Sequence, residues 1–222
     1  MYLTQSNVIR GLSKEEYSIL REMCQYSNNL YNVALYNIRQ YYFQEKKFLK
    51  YEENYHVCKE NENYGLLQAG VSQQTLKVAD RSFKTFFNLI KKAKSGEYRF
   101  KDIRMPRYRE KGGMFNLILS ANAIHLKDGF LTVPMSREFS KLHGGKQVKI
   151  PFPKRLEGKT IKEIRICLYT RACTSKYSTA IFKRKNLKTF PLTRCLRSTL
   201  ALKIWRPVSP IPGRRSSWTG VN

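Results

Sequence analysis

Acidic residues are scarce in this sequence. Its 222 residues include 16 Asp and Glu against 42 Lys and Arg, which gives a formal net charge of +26, and no acid follows Glu163. Such an excess of positive charge repels itself in a compact fold unless a polyanion neutralises it, so a nucleic acid is the expected partner. The same scarcity excludes a catalytic centre built from carboxylates beyond Glu163.

Long apolar runs and metal-binding patterns are also missing. No stretch approaches the roughly 20 apolar residues that span a bilayer, and residues 1–6 have neither the basic start nor the apolar block of a signal peptide. We therefore predict no membrane partner and a cytoplasmic location. The five cysteines lack CxxC or Cys-His spacing and the three histidines are scattered, which argues against a zinc site and a disulfide framework.

Two amphipathic helices are predicted in the first 95 residues. Ser13 and Glu16 form a capping box at the start of the first one, whose apolar face continues to about residue 42. The second has apolar residues at steps of three and four between Leu76 and Ile90, with Ser72 as its expected N-cap. Residues 51–64 are predicted to form a further helix or a loop.

Short strands are predicted on both sides of these helices. One covers residues 3–10, and five more follow between residues 114 and 166, with Asp128-Gly129 as a hairpin signature. The expected fold class is α+β, with a helical insert at about residues 13–95 inside a small β-barrel or sheet. The five later strands are predicted at 115–119, 123–126, 130–133, 146–150 and 161–166.

Basic and aromatic residues alternate over residues 98–111, which we call the basic–aromatic segment. Cations neutralise phosphates and rings stack on bases, a combination that suits single-stranded or structured RNA as well as DNA. A solvated loop with incidental aromatics is the alternative, and the high net charge favours binding. The predicted nucleic-acid contacts in this segment and the later strands are Arg99, Lys101, Arg104, Arg107, Tyr108, Arg109, Lys149, Lys154 and Arg155.

The last 56 residues, 167–222, differ from the rest. They contain 12 Lys and Arg and no acid, and neither helical nor strand periodicity continues there. One interpretation is a basic disordered arm that binds nucleic acid. Such arms are seldom so rich in Cys, Trp, Leu and Ile, and the alternative is a change of reading frame near Cys167.

Several ordered blocks in residues 1–166 resemble one family. Asn29-Leu30-Tyr31-Asn32-x-Ala34-Leu35 is similar to a VYNxAL signature, the block from Gln73 to Phe87 is similar to the family's next block, and Tyr98-Arg99-Phe100-Lys101 is similar to PRFK with Tyr98 in place of Pro. The segments 148–151 and 161–166 fit the strands that follow. Together these blocks resemble the OrfB/TnpB family of insertion-sequence transposases, which are RNA-guided DNA nucleases related to type V CRISPR effectors.

The resemblance implies a domain organisation and a partner. Residues 1–12 and 97–166 would form a wedge-like β domain and residues 13–96 a helical recognition domain, and both would bind the guide RNA and a short target-adjacent motif in DNA. By its position in the family's block, Gln73 would face that motif, where an amide can read adenine, and Ser120 is a second candidate. The full-length family also uses divalent metal ions and a zinc ribbon in a RuvC domain, which should begin just after Ile166.

That domain is missing from the sequence, and codon degeneracy offers a reason. A shifted reading of the C-terminal residues permits Asp-Val-Gly-Val-Lys-Asn-Leu-Ala-Thr, which resembles the first RuvC motif, Asp-x-Gly-x-x-Asn-x-Ala-Thr. We therefore predict a truncated, nuclease-dead member that is not an enzyme, holds no cofactor and ends in a basic, disordered, out-of-frame tail at residues 167–222. The alternatives are a self-standing basic RNA-binding or ribosome-associated protein and, with less support, a helix-turn-helix transcription factor.

Overall fold

The computed structural model describes residues 2–168 and 176–183 of the chain, and it has a mixed α+β fold, as predicted. The helices are α1 (Lys14–Glu45), α2 (Tyr51–Cys58), α3 (Glu62–Leu66), α4 (Ala69–Lys94) and α5 (Arg137–Leu142). The strands are β1 (Tyr2–Leu3), β2 (Ser6–Val8), β3 (Leu117–Ser120), β4 (His125–Lys127), β5 (Phe130–Thr132), β6 (Lys149–Pro151), β7 (Ile161–Cys167) and β8 (Lys176–Lys183).

The first long helix begins as the sequence predicts. The backbone N–H of Glu16 donates to Ser13 Oγ at 3.1 Å, and the backbone N–H of Ser13 donates to Glu16 Oε2 at 2.8 Å. This reciprocal pair satisfies N–H groups that the first helical turn leaves without a carbonyl partner. The helix ends at Lys46, whose φ of 55° is left-handed and whose N–H reaches Tyr42 O.

The second long helix begins earlier than predicted. Gln68 is its N-cap, and the Gln68 side chain accepts from the N–H of Val71 at 3.1 Å. Ser72 is therefore not the cap but a buried residue inside the first turns, where its hydroxyl donates to Tyr64 O at 3.1 Å. Gly70 lies in the first helical turn, where a glycine costs little because that turn is only partly hydrogen-bonded.

The described strands form two small antiparallel sheets. One has the order β1-β8-β7-β3, with β2 also paired to β8, and the other has the order β4-β5-β6. The described strands form no closed barrel. The predicted α+β class is therefore seen, with small antiparallel sheets in place of the predicted barrel. The Asp128-Gly129 hairpin is confirmed, since both residues have the positive φ, 52° and 75°, that its tight turn requires.

Strand β8 lies inside the segment 167–222 that the sequence analysis predicts to be irregular. Its backbone pairs with β7 on one side and with β1 and β2 on the other. The prediction is therefore wrong for Lys176–Lys183, a stretch that contains the strand-favouring residue types Tyr, Thr, Ile and Phe. The remainder of the predicted tail lies outside the described residues.

One hydrophobic core joins the helices to the sheets. Phe83 of α4, Leu20 of α1 and Leu117 of β3 are all fully buried members of it. A buried hydrogen bond of 3.0 Å links the hydroxyls of Ser27 and Thr75, and Ser27 also reaches Asn116 O at 3.3 Å, so polar contacts tie α1 and α4 to the start of β3. None of the helices in the described ranges has the length and apolar character needed to cross a membrane.

Candidate nucleic-acid interface

The basic–aromatic segment is fastened to α1 by two asparagines one helical turn apart. Asn32 pairs with the backbone of Arg109 in both directions: its Nδ2 donates to Arg109 O at 3.1 Å, and its Oδ1 accepts from Arg109 N at 2.8 Å. The buried amide of Asn28 donates to Glu110 O at 2.9 Å and accepts from Arg109 Nε at 3.1 Å. This irregular segment is not part of a sheet, so its backbone groups find their hydrogen-bond partners in the side chains of α1 instead.

Arg109 has an internal role at this junction. Besides its bond to Asn28, its Nη2 donates to Met114 O at 3.4 Å, and its guanidinium lies 4.7 Å from the centroid of the Phe115 ring. The Phe115 N–H in turn donates to Cys24 O of α1 at 2.9 Å. Arg109 is exposed as a residue, but these contacts hold its guanidinium. The side chain predicted to contact a phosphate therefore also keeps the segment in place.

The other predicted residues of the segment are exposed. Phe100–Asp102 forms a single 3₁₀ turn, and the chain then runs extended towards Pro106, whose carbonyl accepts from Arg39 Nη1 at 3.5 Å. Because the segment is anchored at both Pro106 and Arg109, the residues between and beside these points are presented by a fixed backbone. The predicted contacts that are exposed here are Arg99, Lys101, Arg104, Arg107 and Tyr108.

A second group of predicted residues lies near the N-terminal strands. Lys149 begins β6, and Lys154 and Arg155 belong to a 3₁₀ turn just after it; all three are exposed. Arg155 Nη2 donates to Asn7 Oδ1 of β2 at 2.9 Å. A shallow groove here is lined by Ser6, Asn7, Val8, Arg10, Pro151, Phe152, Pro153 and Arg155.

Gln73 and Ser120, the two candidates for reading the target-adjacent motif, lie on different elements. Gln73 is half-buried on α4 and hydrogen-bonds to Tyr64. Burial raises the pKa of Tyr64 to about 12, and the Gln73 hydrogen bond acts in the opposite direction. Ser120 is the half-buried last residue of β3, opposite Glu163 in β7. Gln73 therefore already has a partner within the protein.

No group of three or more His, Cys, Asp and Glu side chains in the described ranges could hold a metal ion. Cys24 and Cys58 are buried free thiols. Burial raises the pKa of both thiols, that of Cys58 to about 11, so neither has the thiolate character of a reactive cysteine.

Asn28, Asn32 and Arg39 also belong to this region, and they were not among the residues predicted for it. Asn28 offered a signal, because it lies among the apolar positions of α1 and a polar residue at such a position must find a partner. Asn32 lies one turn further on, and Arg39 nearly two turns beyond that. No protein-family model matches the sequence, and no curated protein matches it either.

Replacing Asn28 by alanine should lower the free energy of unfolding by about 2–3 kcal/mol, because the change leaves Glu110 O and Arg109 Nε without their partner in a partly buried site. Urea unfolding of the full chain measures this. The control is Asn29→Ala at the neighbouring exposed position, whose one side-chain bond, to Asn63 Oδ1 at 3.2 Å, is exposed. Equal effects of the two changes would show that the Asn28 bonds do not hold the segment.

Proposed function

We propose that this chain is a truncated TnpB/OrfB-like protein whose residues 1–166 bind a guide-type RNA and target DNA in the cytoplasm, without nuclease activity. The observation that carries the proposal is the junction at Asn28 and Asn32. Asn32 of the first block of the resemblance, together with Asn28 just before that block, holds the basic–aromatic segment, which begins with the third block. In this proposal residues 13–96 are the recognition domain and residues 1–12 and 97–166 form the wedge-like β domain.

The absence of cleavage follows from the sequence. Metal-assisted phosphodiester cleavage needs clustered carboxylates to hold the ions that stabilise the attacking and leaving oxygens. No Asp or Glu follows Glu163, and the family's catalytic domain would begin just after Ile166. A change of reading frame near Cys167 would account for this loss.

A second candidate function is a self-standing basic RNA-binding or ribosome-associated protein with a genuine C-terminal arm. Strand β8 favours it, because Lys176–Lys183 pairs with three other strands of the fold. A segment that completes a sheet in this way is expected of a chain whose C-terminal part is in frame. A sequence read out of frame, by contrast, has not been selected to pair with the other strands of this sheet.

The nucleotide sequence around codon 167 separates the two candidates. We expect that one insertion or deletion there restores an open frame encoding Asp-x-Gly-x-x-Asn-x-Ala-Thr. A gene with no such shifted frame would contradict the truncation and favour the self-standing RNA-binding protein.

Purified protein should retard structured RNA and DNA in gels and should leave the DNA intact when magnesium and RNA are added. The physical reason is a binding surface without the carboxylates that hold catalytic ions. A preparation from cells carrying the empty vector, fractionated identically, controls for contaminating nucleases. DNA cleavage that co-elutes with this chain and is missing from the control would overturn the proposal.

A further inference from the structure

Three aromatic side chains are exposed around one arginine at the C-terminal half of α1. Tyr36 and Phe43 of the helix are 53% and 48% exposed, and Tyr108 of the basic–aromatic segment is 44% exposed. Tyr36, Arg39 and Phe43 follow steps of three and four, so they share a face of the helix. The Arg39 guanidinium lies 4.7 Å from the Tyr108 ring centroid and 6.0 Å from that of Phe43.

This arrangement, which we call the stacking cluster (Tyr36, Arg39, Phe43 and Tyr108), is held in place before any ligand binds. Arg39 Nη1 donates to Pro106 O at 3.5 Å, which links the helix to the segment. Tyr108 is attached to a backbone that Asn32 holds through Arg109. Side chains that are already positioned lose little conformational entropy when a flat ligand binds to them.

Single exposed apolar residues are ordinary, whereas several exposed rings on one side of a molecule are typical of a binding surface. Aromatic rings and the flat guanidinium both stack on nucleobases. The surroundings are cationic: residues 36–47 and 103–109 contain six basic residues and one acid, Glu45. A strand that places a base on the cluster would therefore have its phosphates close to arginines and lysines.

We propose that the stacking cluster binds an unpaired nucleobase of a single-stranded RNA or DNA segment, with the neighbouring phosphates on the basic side chains of α1 and of residues 103–107. This inference rests on the proposed nucleic-acid binding and deepens it, because it assigns one site to bases rather than to phosphates. The site is indifferent to base identity, since every base has a π-face.

The test compares two fluorescent 12-mers with the same number of phosphates, oligothymidylate and an abasic strand, by anisotropy with the full-length protein. Wild type should bind oligothymidylate more tightly by roughly tenfold, the effect of stacking one base. The triple variant Tyr36→Leu, Phe43→Leu, Tyr108→Leu keeps apolar volume but removes the rings. It should lose that preference while binding the abasic strand as wild type does.

Two matched variants accompany the test. Phe130→Leu removes a similarly exposed ring, 43% exposed, from β5 and should change neither affinity. The double variant Tyr36→Phe, Tyr108→Phe keeps the rings and should retain the preference. Thermal unfolding checks each variant, and the single change Phe43→Leu replaces the triple variant if that one is not folded.

The possible outcomes separate this inference from the function on which it rests. If wild type binds both strands equally, or if the leucine variant weakens both strands equally, the stacking site is overturned and nucleic-acid binding stands. If wild type binds neither strand but retards structured RNA, the stacking site is overturned and the proposed function stands; if it retards no nucleic acid, both fail. If wild type prefers oligothymidylate and only the leucine variant loses that preference, the stacking site and nucleic-acid binding are both supported.

Discussion

Raising NaCl from 50 to 200 mM should weaken binding of single-stranded nucleic acid about a thousandfold. Seven predicted basic contacts remain when Arg109, which is engaged within the fold, is set aside. Each neutralised phosphate releases counterions and contributes about −0.7 to the slope of log affinity against log salt for single strands, so the expected slope is about −5. Anisotropy titrations at four salt concentrations with one labelled RNA measure it.

The same titration locates the contacts. A variant with alanine at four exposed cations of the basic–aromatic segment should reduce the magnitude of the slope by about 3. A control with the same loss of charge carries alanine at exposed lysines on other elements and should keep most of the slope. If the control variant loses more of the slope than the segment variant does, the segment is not part of the nucleic-acid interface. The first set is Arg99, Lys101, Arg104 and Arg107, and the second is Lys14, Lys50, Lys127 and Lys141.

Replacing Phe83 by alanine should lower the free energy of unfolding by about 3–5 kcal/mol, the usual cost of removing a buried phenyl ring. Phe83 is fully buried on α4, and its ring lies 6.2 Å from those of Phe86 and Phe87. Against a total of about 5–15 kcal/mol for an ordinary domain, this is a large fraction of the stability. Urea unfolding followed by far-UV circular dichroism measures it.

The matched control is Phe100→Ala, because that ring is 58% exposed. Surface changes are usually worth no more than about 0.5 kcal/mol, so the control should unfold at nearly the wild-type urea concentration. A loss after Phe83→Ala that is no larger than the control's would mean that α4 does not pack through this face.

Local signals predicted much of the fold because they act over a few residues. The Ser13 capping box and the Asp128-Gly129 turn each involve neighbours in sequence, and both are confirmed. The start of α4 was predicted wrongly because Ser72 and Gln68 are both able to cap a helix. The Ser72 hydroxyl donates to the buried Tyr64 carbonyl instead of capping the helix. The short helix α5 was missed; Ser136 caps it and Phe139 anchors it in the core.

For the candidate site, the sequence predicted which residues take part but not how they are arranged in space. Alternating basic and aromatic residues indicated which segment to consider, and all six of its predicted contacts are exposed. Sequence could not indicate that the Arg109 side chain hydrogen-bonds to Asn28, because Asn28 lies 81 residues earlier, on α1. The same long-range contacts bring Arg39 beside Tyr108.

The pairing of the N-terminal strands has a consequence for synthesis of the chain. Val8 of β2 pairs opposite Lys176, about 170 residues later. At roughly 5–20 residues per second, a ribosome needs on the order of 10–35 s to make that distance. During this time the first residues to leave the exit tunnel wait without their sheet partner, so an early termination product would display an unpaired strand edge to chaperones and proteases.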